Sequence, residues 1–143
     1  RSMLPLVRGD DSAEINDAIF AEVTYHAAYE PMRAVRTKRW KYIRRFHDFA
    51  QPIMPNCDDS LSRREWIDAG WRDHTLAREE LYDLEFDPLE AHNLADNPAS
   101  IKVLLEMRQR LSAWMEQTAD PLLKGPVPQP PDSIVQVQDG LNP

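Results

Sequence analysis

The chain has 143 residues, 42% hydrophobic and 29% charged, which is enough for one domain and is ordinary globular composition. Its net charge of −7 argues against a general nucleic-acid binder, which needs a basic face. No apolar run approaches the ~20 residues that cross a bilayer, and a single cysteine, Cys57, excludes an internal disulfide or a multi-cysteine metal site.

Residues 1–17 read as a linker, with Gly9-Asp10-Asp11-Ser12 as turn chemistry. The opening Arg1-Ser2-Met3-Leu4-Pro5 lacks the basic, apolar and small-residue order of a signal peptide and reads like the interior of a longer chain. From Ala18 to His26 β-branched and aromatic residues dominate and predict a strand, which Ala27 to Pro31 is expected to break. Met32–Thr37 and Trp40–Phe46 predict two more strands joined by a short turn at Lys38-Arg39. Both faces of this hairpin carry apolar groups, which suggests a helix on one side and another domain on the other.

Residues 47–79 are less regular. Pro52 and Pro55 keep the first half extended, and the insert is expected to lie over the surface. Ser62-x-x-Glu65 fits a capping box and predicts a short helix near 62–72, weakened by Gly70. Glu80–Leu84 predicts a fourth strand, and Asp87-Pro88 a turn. Asn97-Pro98 is a helix start. Ile101, Leu104, Leu105, Leu111, Trp114 and Met115 recur at helical spacing, which predicts a helix over 98–118, with Lys102 and Glu106 able to pair on its outer face. Beyond it the proline-rich stretch 121–143 predicts a non-helical tail. The fold class is α+β, a small antiparallel sheet of four strands with one long helix packed on it.

Chemistry is sparse. The four histidines, His26, His47, His74 and His92, form no ligand pair, and neither a phosphate loop nor a nucleophile elbow is present. Asp10-Asp11 and Asp58-Asp59 sit in turn-like segments, where acids are usually solvated. No catalytic residue and no metal ligand is expected in this chain. One basic stripe stands out: Arg33, Arg36, Lys38, Arg39, Lys41, Arg44 and Arg45 occur with no acid between them. It could meet an anionic ligand, or be the solvated charges of a strand pair.

Three stretches carry a resemblance. Pro31-Met32-Arg33-Ala34-Val35-Arg36-Thr37-Lys38-Arg39-Trp40-Lys41-Tyr42-Ile43 resembles the hairpin near the end of bacterial sulfatases, with Trp40 in place of the commoner Tyr. Glu80-Leu81-Tyr82-Asp83-Leu84, Asp87-Pro88, Glu90 and Asn93-Leu94 are similar to the strand and turn that follow there. Leu111, Trp114, Thr118, Asp120 and Pro121 resemble the helix end of the heparan N-sulfatase (sulfamidase) branch, as do Tyr29-Glu30-Pro31, the insert 47–79 and the opening Ser2-Met3-Leu4-Pro5-Leu6.

The resemblance implies that residues 18–120 form the subdomain that closes a larger α/β sulfatase, with 1–17 linking it to a catalytic domain and one hairpin face docking on that domain. It implies a formylglycine nucleophile and a calcium ion for the whole enzyme, both held in the amino-terminal domain and neither in this chain. Cys57 does not match the Cys/Ser-x-Pro-x-Arg motif, because Asp59 and Leu61 stand where Pro and Arg are needed. His26 and Arg33 become the candidates for substrate contact, Arg33 as a two-pronged clamp for sulfate or carboxylate. The alternative is that Arg33 pairs with an acid across the domain interface and His26 caps a strand end. A sulfated glycan is the implied substrate, a homo-oligomer is possible, and an exported, periplasmic location is suspected from the family. Two other functions stay open: a phosphonate or phosphate ester hydrolase of the same superfamily, and a non-enzymatic module binding anionic glycans through the Arg33–Arg45 stripe.

Overall fold

A computed structural model describes residues 2–138 and Gly140; Arg1, Asp139 and 141–143, the outer ends of the predicted linker and tail, lie outside the described residues. Four strands, β1 (Ile19–Tyr25), β2 (Tyr29–Arg36), β3 (Trp40–Arg45) and β4 (Glu79–Asp83), pair in sequence order into one antiparallel sheet. The α+β expectation holds, with one long helix (Ile101–Gln117) against the sheet.

β2 begins at Tyr29, inside the Ala27–Pro31 break that the sequence suggests, so Pro31 lies within a strand. Val23 pairs with Met32 and Tyr25 with Tyr29, so Glu30 and Pro31 together oppose the single residue Thr24. This bulge places the proline where its missing N–H leaves no gap in the ladder. Pro31 still contributes its carbonyl, which accepts from Phe46 N at 2.9 Å.

The linker contains one helical turn, α1 (Leu4–Val7). The insert carries α2 (Leu61–Asp68), which begins earlier than the capping box suggests: Ser60, not Ser62, accepts from Arg63 N at 3.1 Å. Ser62 therefore falls inside the first turn. The insert is not wholly superficial either. Pro52, Ile53, Met54 and Pro55 are buried, and Met54–Asn56 turn as 3-10 helix rather than running extended.

The long helix is α3 in chain order. One 3-10 turn (Pro98–Ser100) precedes it, with Asn97 accepting from Ala99 N. Leu104, Met107, Leu111 and Met115 form its buried stripe, on Val35, Tyr42 and Leu81 of the sheet. Phe20 stacks on Trp114 with centroids 5.0 Å apart. On the outer side Glu106 pairs with Arg110 rather than Lys102. The tail is not free of helix: Pro121–Lys124 make a 3-10 turn capped by Asp120.

Candidate functional site

Strand register decides what each side chain faces. Phe20, Val35, Tyr42 and Leu81 stand in one cross-strand row and point to α3. The row beside it runs Ala21, Ala34, Ile43, Glu80, and the next Val23, Met32, Arg45. These project from the other side of the sheet, and all but Glu80 line an apolar hollow of about 310 Å³. The two-faced hairpin is thus as expected: one face carries the helix, and the other lies open in this chain.

Arg33 belongs to the helix side. It is 2% exposed. Its Nε donates to Asp120 Oδ2 at 2.5 Å and its Nη2 to Asp120 Oδ1 at 3.1 Å. Nη1 donates to the carbonyls of Val23 and Met32, and Nη2 also to Thr24 Oγ1. Every N–H of the guanidinium is thereby engaged within the chain. An arginine so placed has no donor to offer a sulfate. The clamp expected from sequence gives way to the alternative, an ion pair, and the acid is in this same chain. Burial works against ionisation of Asp120, but Arg33 and the backbone N–H of Leu122 hold its carboxyl below the usual range.

His26 sits in the turn between β1 and β2, with its side chain exposed and its backbone N–H on Ala28 O at 3.2 Å. The turn is fastened from far along the chain. Ala28 N donates to Asn56 Oδ1 at 2.7 Å. Tyr25 donates its hydroxyl to Val127 O, and Val127 N donates to the Tyr29 hydroxyl. Gln136 N donates to Ala27 O. None of these partners was legible in the sequence, because each lies 28 to 109 residues away along the chain, as does the Gln138–Tyr29 bond.

The basic stripe does not survive folding. Alternation sends Arg33 inward, and acids from other elements meet most of the rest: Lys38 pairs with Glu14, Arg39 with Asp83, Lys41 with Glu90 and Arg45 with Glu80. Arg44 lies 4.8 Å from the Phe46 ring centroid. A continuous cationic surface for an anionic glycan is therefore not formed.

The resemblance places the calcium ion and the formylglycine outside this chain. Among the described residues no three His, Cys, Asp or Glu side chains converge to hold a metal. Burial, with Glu30 nearby, pushes the Cys57 thiol up, opposite to what an activated sulfur needs. These residues do not fit either group.

No family profile matches the chain. An ulvan-active sulfatase of Formosa agariphila is 33% identical over 124 residues, taking in 83% of this chain and 24% of that protein. Human N-sulphoglucosamine sulphohydrolase is 28% identical over 142 residues, 88% of this chain and 28% of its own length. A crystal structure of a Bacteroides thetaiotaomicron protein described as a sulfatase matches with a TM-score of 0.60 and 26% identity, covering 92% of this chain and 23% of that one. The chain spans about a quarter of the length of the curated relatives it matches.

Proposed function

We propose, from the premise that this chain belongs to the sulfatase family, that it forms the closing carboxy-terminal subdomain of an enzyme hydrolysing sulfate esters or N-sulfates of glycans. The observation that carries this is the open sheet face. Ala21, Val23, Met32, Ala34 and Ile43 make an apolar surface with no helix over it among the described residues. A face of that kind usually marks an interaction site. In an enzyme about four times this length the remaining chain is the natural cover. The catalytic domain is then the partner, and it supplies the formylglycine and the calcium ion.

Within this reading the subdomain has two tasks. It closes the enzyme through the apolar face, and it presents the β1–β2 turn. His26, exposed at the tip of a turn tied down by Asn56, Val127 and Gln136, is the substrate contact we retain. Arg33 holds the strands beneath that turn to the end of α3. The names of two relatives support sulfated saccharides as the substrate class: one acts on ulvan, the other on N-sulphoglucosamine.

The test begins with peptide mapping of the protein that carries this chain. A Cys/Ser-x-Pro-x-Arg peptide with the mass of formylglycine, together with release of sulfate from N- or O-sulfated glucosamine, supports the proposal. His26→Ala is then expected to raise KM more than it lowers kcat. Absence of that peptide and of sulfate release overturns the proposal. Hydrolysis of a phosphate or phosphonate ester instead moves the substrate within the superfamily.

A further inference from the structure

We propose that the cavity between residues 45–50 and 76–78 binds a small oxyanion, either sulfate itself or a sulfate group carried on a saccharide. The site stands on its own geometry. It rests on the sulfatase reading only for the choice of sulfate as the anion.

The cavity is about 130 Å³, room for a group a few times the ~30 Å³ that a water occupies in the liquid. It forms where the chain leaving β3 crosses the chain entering β4. Arg45 N donates to Arg78 O at 2.9 Å and Leu76 N to Ala50 O at 2.7 Å, so both walls are fixed by backbone bonds. Three cationic or basic side chains reach it: Arg45, His47 and Arg78.

Two of them carry unused donors. Arg45 spends Nη1 on Ala77 O and Glu80, yet its buried Nε finds no hydrogen-bond partner among the described residues. Both ring nitrogens of His47 are likewise buried; neither makes a hydrogen bond of good geometry, although the Phe49 backbone lies within reach of the ring. A neutral imidazole has one N–H and one lone pair, so two orphaned buried donors, Arg45 Nε and one His47 N–H, face this cavity, with a third once the ring is protonated; such donors are uncommon and costly and call for an acceptor. A tetrahedral oxyanion offers one in each direction. Arg78 stands at the rim, 3.2 Å from Asp48, with both side chains largely exposed. An anion entering the cavity competes with Asp48 for that guanidinium.

The charges around His47 fix the pH dependence. Burial holds its ring below the ordinary value, with Arg45 acting in the same direction and Glu30 and Asp48 opposing. Glu80 neutralises Arg45 from β4. An anion beside the ring restores the protonated form, so binding takes up a proton and strengthens as pH falls.

The experiment follows the four histidine rings of this 143-residue chain by NMR at constant ionic strength. His74 and His92 are exposed and serve as internal controls. Inorganic sulfate is expected to move the His47 resonances and not those of His74 and His92, and to raise the His47 titration midpoint by roughly 0.5–1 unit. Asp48→Asn should tighten sulfate binding and Arg78→Gln loosen it, each by roughly threefold, and both sites are exposed enough to leave folding intact. Tighter binding of sulfated than of unsulfated glucosamine would assign the anion to a sugar; response to sulfate with no gain from the sugar would assign it to the free ion. The proposal is overturned if sulfate moves His47, His74 and His92 alike, or leaves His47 unmoved, or binds equally to the two variants. Turnover plays no part in these readouts, so their failure leaves the sulfatase reading untouched.

Discussion

Arg33 in the second strand and Asp120 just past the long helix share two hydrogen bonds, at 2.5 and 3.1 Å, with both side chains 1% exposed. The pair joins the sheet to the end of α3 across 87 residues of sequence. It also fixes the route of the tail, since Asp120 Oδ1 accepts from Leu122 N as well.

Breaking that pair from one side strands a buried charge, and Arg33→Met or Asp120→Leu alone is expected to cost about 3–5 kcal/mol. Replacing both at once, as Arg33→Met with Asp120→Leu, should cost less than the sum of the two singles. Urea denaturation of the four proteins closes the cycle. Additive losses would mean that the two side chains act independently.

The same pair sets an acid limit. The folded Asp120 carboxyl is held below its ordinary value, so its contribution is present above the unfolded aspartate value of about 3.9 and is lost as pH falls through the lower folded value. Asp120→Asn removes that dependence. Urea midpoints measured down the acid limb should therefore fall less steeply for the variant than for the parent chain.

At alkaline pH the sign reverses. Burial, followed by the hydrogen bond to Glu79, pushes the Tyr42 hydroxyl well up; burial and Glu80 push Tyr82 up to about 12. An unfolded tyrosine ionises near 10 while these two remain neutral, so stability present below about pH 10 is lost as pH rises toward the folded values. Tyr42→Phe is expected to cost about 1 kcal/mol at neutral pH, since Glu79 keeps its bonds from Arg108. Circular dichroism through the alkaline transition should show a higher midpoint for the variant relative to its own neutral stability.

Ala119 ends α3 in the left-handed region, with φ at 52°. Asp120 N reaches Met115 O at 2.8 Å and Ala119 N reaches Glu116 O at 3.1 Å, the bond pattern of a Schellman cap. Glycine is the favoured residue there. Ala119→Gly should raise stability by about 1 kcal/mol, read as a shift in thermal midpoint. A lower midpoint would mean that the alanine methyl makes a contact worth more than the strain.

The open face supplies a further outcome. The 143-residue chain without a covering domain is expected to self-associate, and Ile43→Glu, in the middle of the hollow, should return it toward monomer in sedimentation velocity. In a covered, active enzyme the same change should impair assembly. A monodisperse parent chain with no response to Ile43→Glu would show that the face needs no partner.

The period-two pattern at 18–26 and 32–46, the helical spacing from Ile101 to Met115 and the Asn97-Pro98 start were enough to predict four strands and a long helix from sequence. These are local signals, each set by one side of one element facing a core, and they survive folding because burial selects for them directly. The doubly apolar hairpin was legible for the same reason. The bulge that keeps Pro31 in β2 was not, because it depends on which residue of β1 stands opposite. Nor was the Ser60 cap, which depends on how the chain enters the helix.

Arg33 shows the limit most clearly. Its position in a recognisable motif pointed to a ligand, yet its partners are Asp120, Thr24 and two strand carbonyls. A run of seven basic residues likewise looked continuous as text and is dispersed over two faces in space, largely neutralised by Glu14, Asp83, Glu90 and Glu80. By itself the sequence determined the elements, the family and the absence of a nucleophile motif at Cys57. Tertiary structure alone decided which charges meet, because a Coulomb partner is chosen by distance through space, and chain separation carries almost no information about that distance.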